Sequence, residues 1–191
     1  MTAKKKILVL EGSPRRGNTE IVTDWVLKGL GKKGYEINRL RVCDLNINGC
    51  QECECCLDSK HSAGCHQEDD MLEIYDLMID SDLIIWTSPI FCWGVTSQLK
   101  AVVDRCFALL NGENLLKGSK WAVVLTAGGD HFDGADLAVE MFRRLAEFGK
   151  VDYLGQFVAT NCSRPQQLKK NQTIATEAQR FGKELRAALI K

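Results

Sequence analysis

Three short runs decide what this chain can fold into: Ile7-Leu8-Val9-Leu10, Leu83-Ile84-Ile85-Trp86 and Trp121-Ala122-Val123-Val124-Leu125. Each is apolar throughout, the pattern of a strand covered on both faces of a sheet. Between them, apolar residues recur at helical spacing. Ile21, Val22, Trp25, Val26 and Leu30 share one face of a helix over 19–30. Met71, Leu72, Tyr75, Leu77 and Met78 mark a second helix; Leu99, Val102, Val103, Phe107 and Leu110 mark a third. Two more span Leu137–Phe148 and Ile174–Leu189, while Tyr35–Val42 and Tyr153–Ala159 complete five strands. Strict alternation of five strands and five helices predicts an α/β fold: a doubly wound five-stranded parallel sheet in three α/β/α layers.

The length of 191 residues fits one domain over 1–191, with the long irregular stretch at about 43–69 as a Cys-rich insertion. Twenty-five basic and 25 acidic residues cancel. That balance gives no basic field for a nucleic-acid partner and no single-sign block for a membrane surface. No run approaches the roughly 20 apolar residues of a membrane span. Met1–Lys6 precedes only four apolar residues, so the reading expects no signal peptide and a cytoplasmic protein. Sequons at Asn161 and Asn171 are then chance matches. In such a compartment thiols stay reduced, and nine cysteines, five of them between 50 and 65, suggest metal or redox chemistry rather than disulfides.

In open α/β sheets, ligands bind beyond the carboxyl ends of strands where strand order reverses. Three segments occupy such places. Gly12-Ser13-Pro14-Arg15-Arg16-Gly17-Asn18-Thr19 follows a strand and opens a helix, so backbone N–H groups can meet an anion there. It lacks both the G-x-G-x-x-G of dinucleotide folds and the P-loop lysine. A phosphate site without NTPase machinery remains; the alternative is a helix start capped by Asn18 or Ser13. Ser88-Pro89-Ile90-Phe91-Cys92-Trp93-Gly94 is apolar and aromatic for a loop, suited to wall in a flat ring, to cap the core or to enter a subunit contact. Thr126-Ala127-Gly128-Gly129-Asp130-His131 offers bare backbone to a ring edge, with His131 read as a surface histidine rather than an acid catalyst.

Together with Gln98-Leu99-Lys100 and Asp104-Arg105, these loops resemble the NAD(P)H-dependent FMN reductase family over about residues 5–160. The resemblance implies a flavodoxin-like fold and bound FMN. Its phosphate would lie at Ser13, Arg15, Gly17, Asn18 and Thr19. Its ring would lie between Pro89, Ile90, Phe91, Cys92, Trp93 and Gly94 on one side and Thr126, Ala127, Gly128 and Gly129 on the other. Asp104 and Arg105 are read as helix and interface structure.

Cys50, Cys53 and Cys56 make C-x2-C-x2-C, and Cys65 supplies a fourth thiolate eight residues on. Three readings stay open: a [4Fe–4S] cluster on four thiolates, reduced thiols without metal, and zinc on four thiolates or on three with His61 or His66. The compact arrangement resembles the iron–sulfur flavoproteins of the same family, although the last spacer is long and Cys55 is extra. Cys43, Cys106 and Cys162 read as packing residues and Cys92 as a flavin-loop residue.

The resulting expectation is an FMN oxidoreductase that takes hydride from NAD(P)H, with no catalytic acid–base pair of its own. It would pass electrons to a quinone, flavin or other small-molecule acceptor, or to a ferredoxin-like protein through a cluster. The competing expectations are a non-enzymatic electron carrier and a thiol or metal sensor. The family resemblance also implies a homodimer or homotetramer.

Overall fold

The three all-apolar runs are the middle strands of the sheet. In the computed structural model, which describes residues 4–57, 65–111 and 114–190, the strands are β1 (Lys5–Glu11), β2 (Tyr35–Arg41), β3 (Leu83–Pro89), β4 (Lys120–Thr126) and β5 (Asp152–Ala159). All pair in parallel, in the order β2-β1-β3-β4-β5. Order therefore reverses between β1 and β3, which places the switch point where the sequence reading looked for a ligand.

Helices are α1 (Asn18–Leu30), α2 (Met71–Ile79), α3 (Ser97–Arg105), α4 (Phe107–Leu110), α5 (Ala135–Phe148) and α6 (Gln172–Ile190). Alternate residues of β1 point into two cores. Leu8 and Leu10 join Ile84, Trp86, Trp121 and Val123 beneath α2, α3, α4 and α5. Ile7 and Val9 join Ile85, Ala122 and Val124 beneath α1 and α6. Gly29 of α1 and Gly182 of α6 face the opposite helix backbone so closely that a Cβ on either would overlap a carbonyl, and α1 and α6 pack backbone to backbone.

The helix expected to run from Leu99 through Leu110 is instead two pieces. The chain bends at Cys106, whose thiol donates to the Val102 carbonyl at 3.1 Å and lies 3.8 Å from Met78 Sδ. The apolar spacing continues across the bend, so periodicity alone does not reveal it. Beyond it, Phe107 stacks on Phe148 at 6.2 Å. Among the described residues no helix is long and apolar enough to cross a membrane.

Candidate functional site

The first loop leaves the end of β1 through Gly12. The Gly12 N–H donates to the Thr87 carbonyl at 2.8 Å, and the Thr96 hydroxyl donates to the Gly12 carbonyl at 2.7 Å. A Cβ on Gly12 would stand 2.7 Å from Leu99 Cβ, so α3 approaches this closely only because the residue is glycine. Downstream, α1 starts from Gly17, which has no side chain to cap the helix, and among the described residues no side chain bonds its first N–H groups. Neither expected cap is used. Ser13 Oγ donates to the Arg15 carbonyl at 2.7 Å, and Asn18 faces the other way. The contrast is α3, where Thr96 accepts from the Leu99 N–H. A 13-residue helix thus presents bare N–H donors and the positive end of its dipole at the loop.

Asn18 is committed to structure. Its Nδ2 donates to the carbonyls of Cys162 and Arg164, at 2.7 and 2.8 Å, and its Oδ1 accepts from the Leu168 N–H at 3.2 Å. The neighbouring Thr19 hydroxyl meets that of Thr126 at 2.7 Å. Through these two residues, α1 carries the loop after β4 and the loop after β5.

The second loop is anchored by the Ile90 N–H on the Thr126 carbonyl at 2.8 Å. Phe91 and Gly94 then exchange both backbone bonds, at 2.9 and 3.0 Å, around Cys92 (φ 46°) and Trp93 (φ 62°). Two positive φ values in a two-residue hairpin make a type I′ turn, here without the Asn-Gly that usually relieves it. Strain of this kind persists where the surroundings enforce it. Gly134, itself at φ 99°, presses so close to the Trp93 backbone that a Cβ would overlap it. The turn displays its aromatics: Phe91 is 49% exposed and Trp93 64%, with Phe132 at 78% on the following loop. In the third loop, Asp133 Oδ2 accepts from the Asp130 N–H at 3.1 Å, and His131 packs edge-on against Phe132.

A cleft of about 220 Å³ lies where the loops meet. Ser13, Arg15, Asn18, Thr19, Pro89, Ile90, Phe91, Thr126 and Gly128 of the expected set line it. Gly17 starts the helix just beneath, Ala127 is buried, Gly94 closes the hairpin turn, and the Gly129 carbonyl accepts from the Asn161 N–H at 2.7 Å. Cys92 and Trp93 project from the hairpin tip. Sequence reasoning missed Cys162 and Ser163, which complete the lining from the end of β5. The rule that found the other loops applies equally to that strand end. It also missed Cys43: this thiol donates to the Ser13 carbonyl at 3.2 Å, tying the loop after β2 to the first loop.

A second cavity, about 260 Å³, is formed by the cysteine segment against α2, α3 and α4. Cys50, Cys53, Cys56 and Cys65 all line it, and Cys55 does not. Glu52 (φ 51°) and Glu54 (φ 60°) sit in the left-handed region, so the segment is sharply folded about Cys53. Arg105 closes the floor. Its Nη1 pairs with Asp69, its Nη2 reaches Cys65 Sγ at 3.5 Å, and its Nε is buried without a partner among the described residues. Burial would raise the Cys65 thiol pKa, but the Gln67 N–H and then the guanidinium outweigh it, and the net direction is down. Burial drives the Cys56 thiol up. Four soft donors around a cavity with an orphaned cationic donor fit a thiolate-bound, anionic metal group. A different trio is already convergent: Cys53 Sγ, Cys55 Sγ and a His66 ring nitrogen lie within 4.8 Å of one another, with Cys53 and His66 Nδ1 at 3.2 Å. His61 lies outside the described residues.

The 2-1-3-4-5 parallel sheet with a cleft at the β1/β3 switch defines a flavodoxin-like protein. Solved structures share the fold. A NAD(P)H:quinone oxidoreductase from Methanothermobacter marburgensis superposes with a TM-score of 0.75 at 17% identity, covering 96% of each chain. An FMN-dependent NADH-azoreductase from Bacillus anthracis, solved with FMN, gives 0.70 at 16%, covering 95% of this chain and 100% of that one.

Residues 5–163 match the model of the NADPH-dependent FMN reductase family, and the chain belongs to that family of oxidoreductases. Its sequence is 37% identical to an iron-sulfur flavoprotein of Archaeoglobus fulgidus and 33% identical to one of Methanocaldococcus jannaschii. Each match spans 134 residues, 70% of this chain and 67% of the relative. The iron–sulfur flavoprotein branch read from the cysteines is thus the one its relatives occupy.

Proposed function

We propose that the protein is an FMN-dependent NAD(P)H oxidoreductase whose three-loop cleft holds the flavin. The observation that carries this reading is the uncapped N-terminus of α1 opening on a cleft walled by Pro89, Ile90 and Phe91. Backbone N–H groups at the start of α1, with Ser13, Arg15 and Thr19 beside them, would take the FMN phosphate. The cleft is smaller than the roughly 300–1,000 Å³ of pockets that enclose a ligand. The ring would therefore use the open lip between 89–94 and 126–129. Bound FMN supplies two-electron chemistry with nicotinamides and one-electron chemistry with metal groups. This chain's residues place the ring and leave one edge open to donor and acceptor. Aromatic side chains at that edge suit a flat quinone or flavin acceptor, and the exposed patch suits contact with a second copy of the chain. Residues 1–191 serve as one FMN-binding unit of the cytoplasm, with 43–69 as its insertion.

Cys50, Cys53, Cys56 and Cys65 would hold a [4Fe–4S] cluster that exchanges single electrons with the flavin or with a ferredoxin-like partner. The shared cavity and the iron–sulfur flavoprotein relatives support this. The convergent trio favours a second reading, zinc on Cys53, Cys55 and His66. Iron, acid-labile sulfide and zinc analysis of anaerobically purified protein separates the two. Iron and sulfide that survive Cys55→Ser support the cluster; zinc that is lost with Cys55→Ser supports the second.

FMN and riboflavin titrations test the cleft. The helix-terminus site predicts at least about tenfold tighter FMN binding, since a tenfold difference needs only about 1.4 kcal/mol from the phosphate. Equal affinity for the two would remove the phosphate site, and no binding of either would remove the function.

A further inference from the structure

Arg105 was read from sequence as an interface residue, but its side chain is 1% exposed and that of its partner Asp69 2%. A single guanidinium here reaches three points of the cysteine segment. Nη1 bonds Asp69, where the segment ends, and the Asn48 carbonyl, where it begins, the latter at 3.2 Å. Nη2 donates to Cys65 Sγ at 3.5 Å. The backbone beneath is pinned too, because Tyr75 OH donates to the Arg105 carbonyl at 3.0 Å.

A structural ion pair alone would not need this arrangement. Asp69 also accepts from the N–H groups of Asn48 and Met71, at 3.0 and 3.1 Å. The carboxylate thus neutralises the guanidinium from one side, while Nη2 points to sulfur and Nε, on a residue that lines the cavity, has no partner among the described residues. The paired charges largely cancel at a distance, so the directional N–H···S bond is what acts on the sulfur. Hydrogen bonds to ligand sulfurs set the potentials of iron–sulfur sites, because donors favour the electron-richer state.

We propose that Arg105 is the positioning residue of the cysteine site: it holds Cys65 to the cavity shared with Cys50, Cys53 and Cys56, and its bond to Cys65 raises the reduction potential of the iron–sulfur group bound there. The proposal rests on the cluster reading. The couple concerned is the gain of one electron by the four-thiolate site, supplied by the reduced flavin, with no ligand bond broken.

The test uses the full chain, loaded anaerobically with FMN, iron and sulfide. Arg105→Gln leaves Asp69 buried and unpaired, so the double variant Arg105→Gln/Asp69→Asn is made beside it. FMN content, read at the separate cleft, reports folding. Iron and sulfide content and an EPR-monitored potential titration report the site. The proposal expects either variant, with FMN retained, to lose iron and sulfide or to favour the oxidised state at least tenfold more, about 59 mV for one electron. Variants that load a full cluster at the wild-type potential would overturn it while leaving the cluster intact as a reading. A wild-type chain that takes FMN but no iron or sulfide would overturn the cluster reading and the proposal together.

Discussion

Thr19 Oγ1 and Thr126 Oγ1 lie 2.7 Å apart in a buried hydrogen bond that joins the first turn of α1 to the end of β4. The bond crosses the floor of the cleft, between the segment assigned to the phosphate and the one assigned to the ring edge. Thr19→Val or Thr126→Val alone leaves a buried hydroxyl without its partner, at a cost of about 1–3 kcal/mol. The double variant removes both and should cost less than the two singles summed. Denaturant unfolding of the four proteins checks this, with FMN affinity falling in each single variant. Additive losses would mean that the hydroxyls do not depend on one another.

Asn18 separates a structural role from a phosphate role. Its three bonds all go to the 162–168 loop, so Asn18→Ala should lower stability by about 1–3 kcal/mol. The preference for FMN over riboflavin should survive, because the phosphate is assigned to backbone N–H groups and to neighbours. A variant of wild-type stability that has lost that preference would place Asn18 on the phosphate.

The sequence pattern reveals the central strands because both of their faces are buried, and it reveals the loops because topology puts ligands at strand ends. It does not reveal that Asn18, expected at a phosphate, bonds carbonyls 144 and 146 residues away, since no local pattern encodes that pairing. The bend at Cys106 escapes for the opposite reason: local spacing stays helical while tertiary packing interrupts the helix. Arg105 reads as helix and interface structure because no local motif ties it to the cysteines. Only folding brings it to Cys65, forty residues earlier in the chain. Cys106 and Cys162 are buried as a packing reading expects, whereas Cys43 has a polar task on the first loop.

The Asp69–Arg105 pair gives an acid signature. Burial alone would raise the Asp69 carboxyl, but the Arg105 guanidinium and the N–H groups of Asn48 and Met71 hold it below its ordinary value. A depressed folded-state pKa contributes stability that is present above the unfolded value near 3.9 and lost as pH falls through the folded value. Stability should therefore decline more steeply below about pH 4 in wild type than in Asp69→Asn, which also loses about 3–5 kcal/mol at neutral pH by leaving Arg105 unpaired. Unfolding curves across that range check both; parallel curves would contradict the pair's role.

Cys92 and Trp93 hold a turn that suits Asn-Gly. Cys92→Asn with Trp93→Gly should relieve backbone strain of about 1–3 kcal/mol and raise the unfolding midpoint. The same change removes the most exposed aromatic of the lip, so turnover with a quinone acceptor should fall. Gained stability with turnover unchanged would take Trp93 out of the acceptor site.

The proposed function requires that a nicotinamide reduce a flavin bound in the cleft. Its most direct test is anaerobic mixing of FMN-loaded protein with NADPH, and separately NADH, while the flavin's visible absorption is followed. At least one of them should bleach the flavin at a rate that matches or exceeds steady-state turnover. A bound flavin that neither nucleotide bleaches, but that dithionite does, would contradict it and leave an electron carrier.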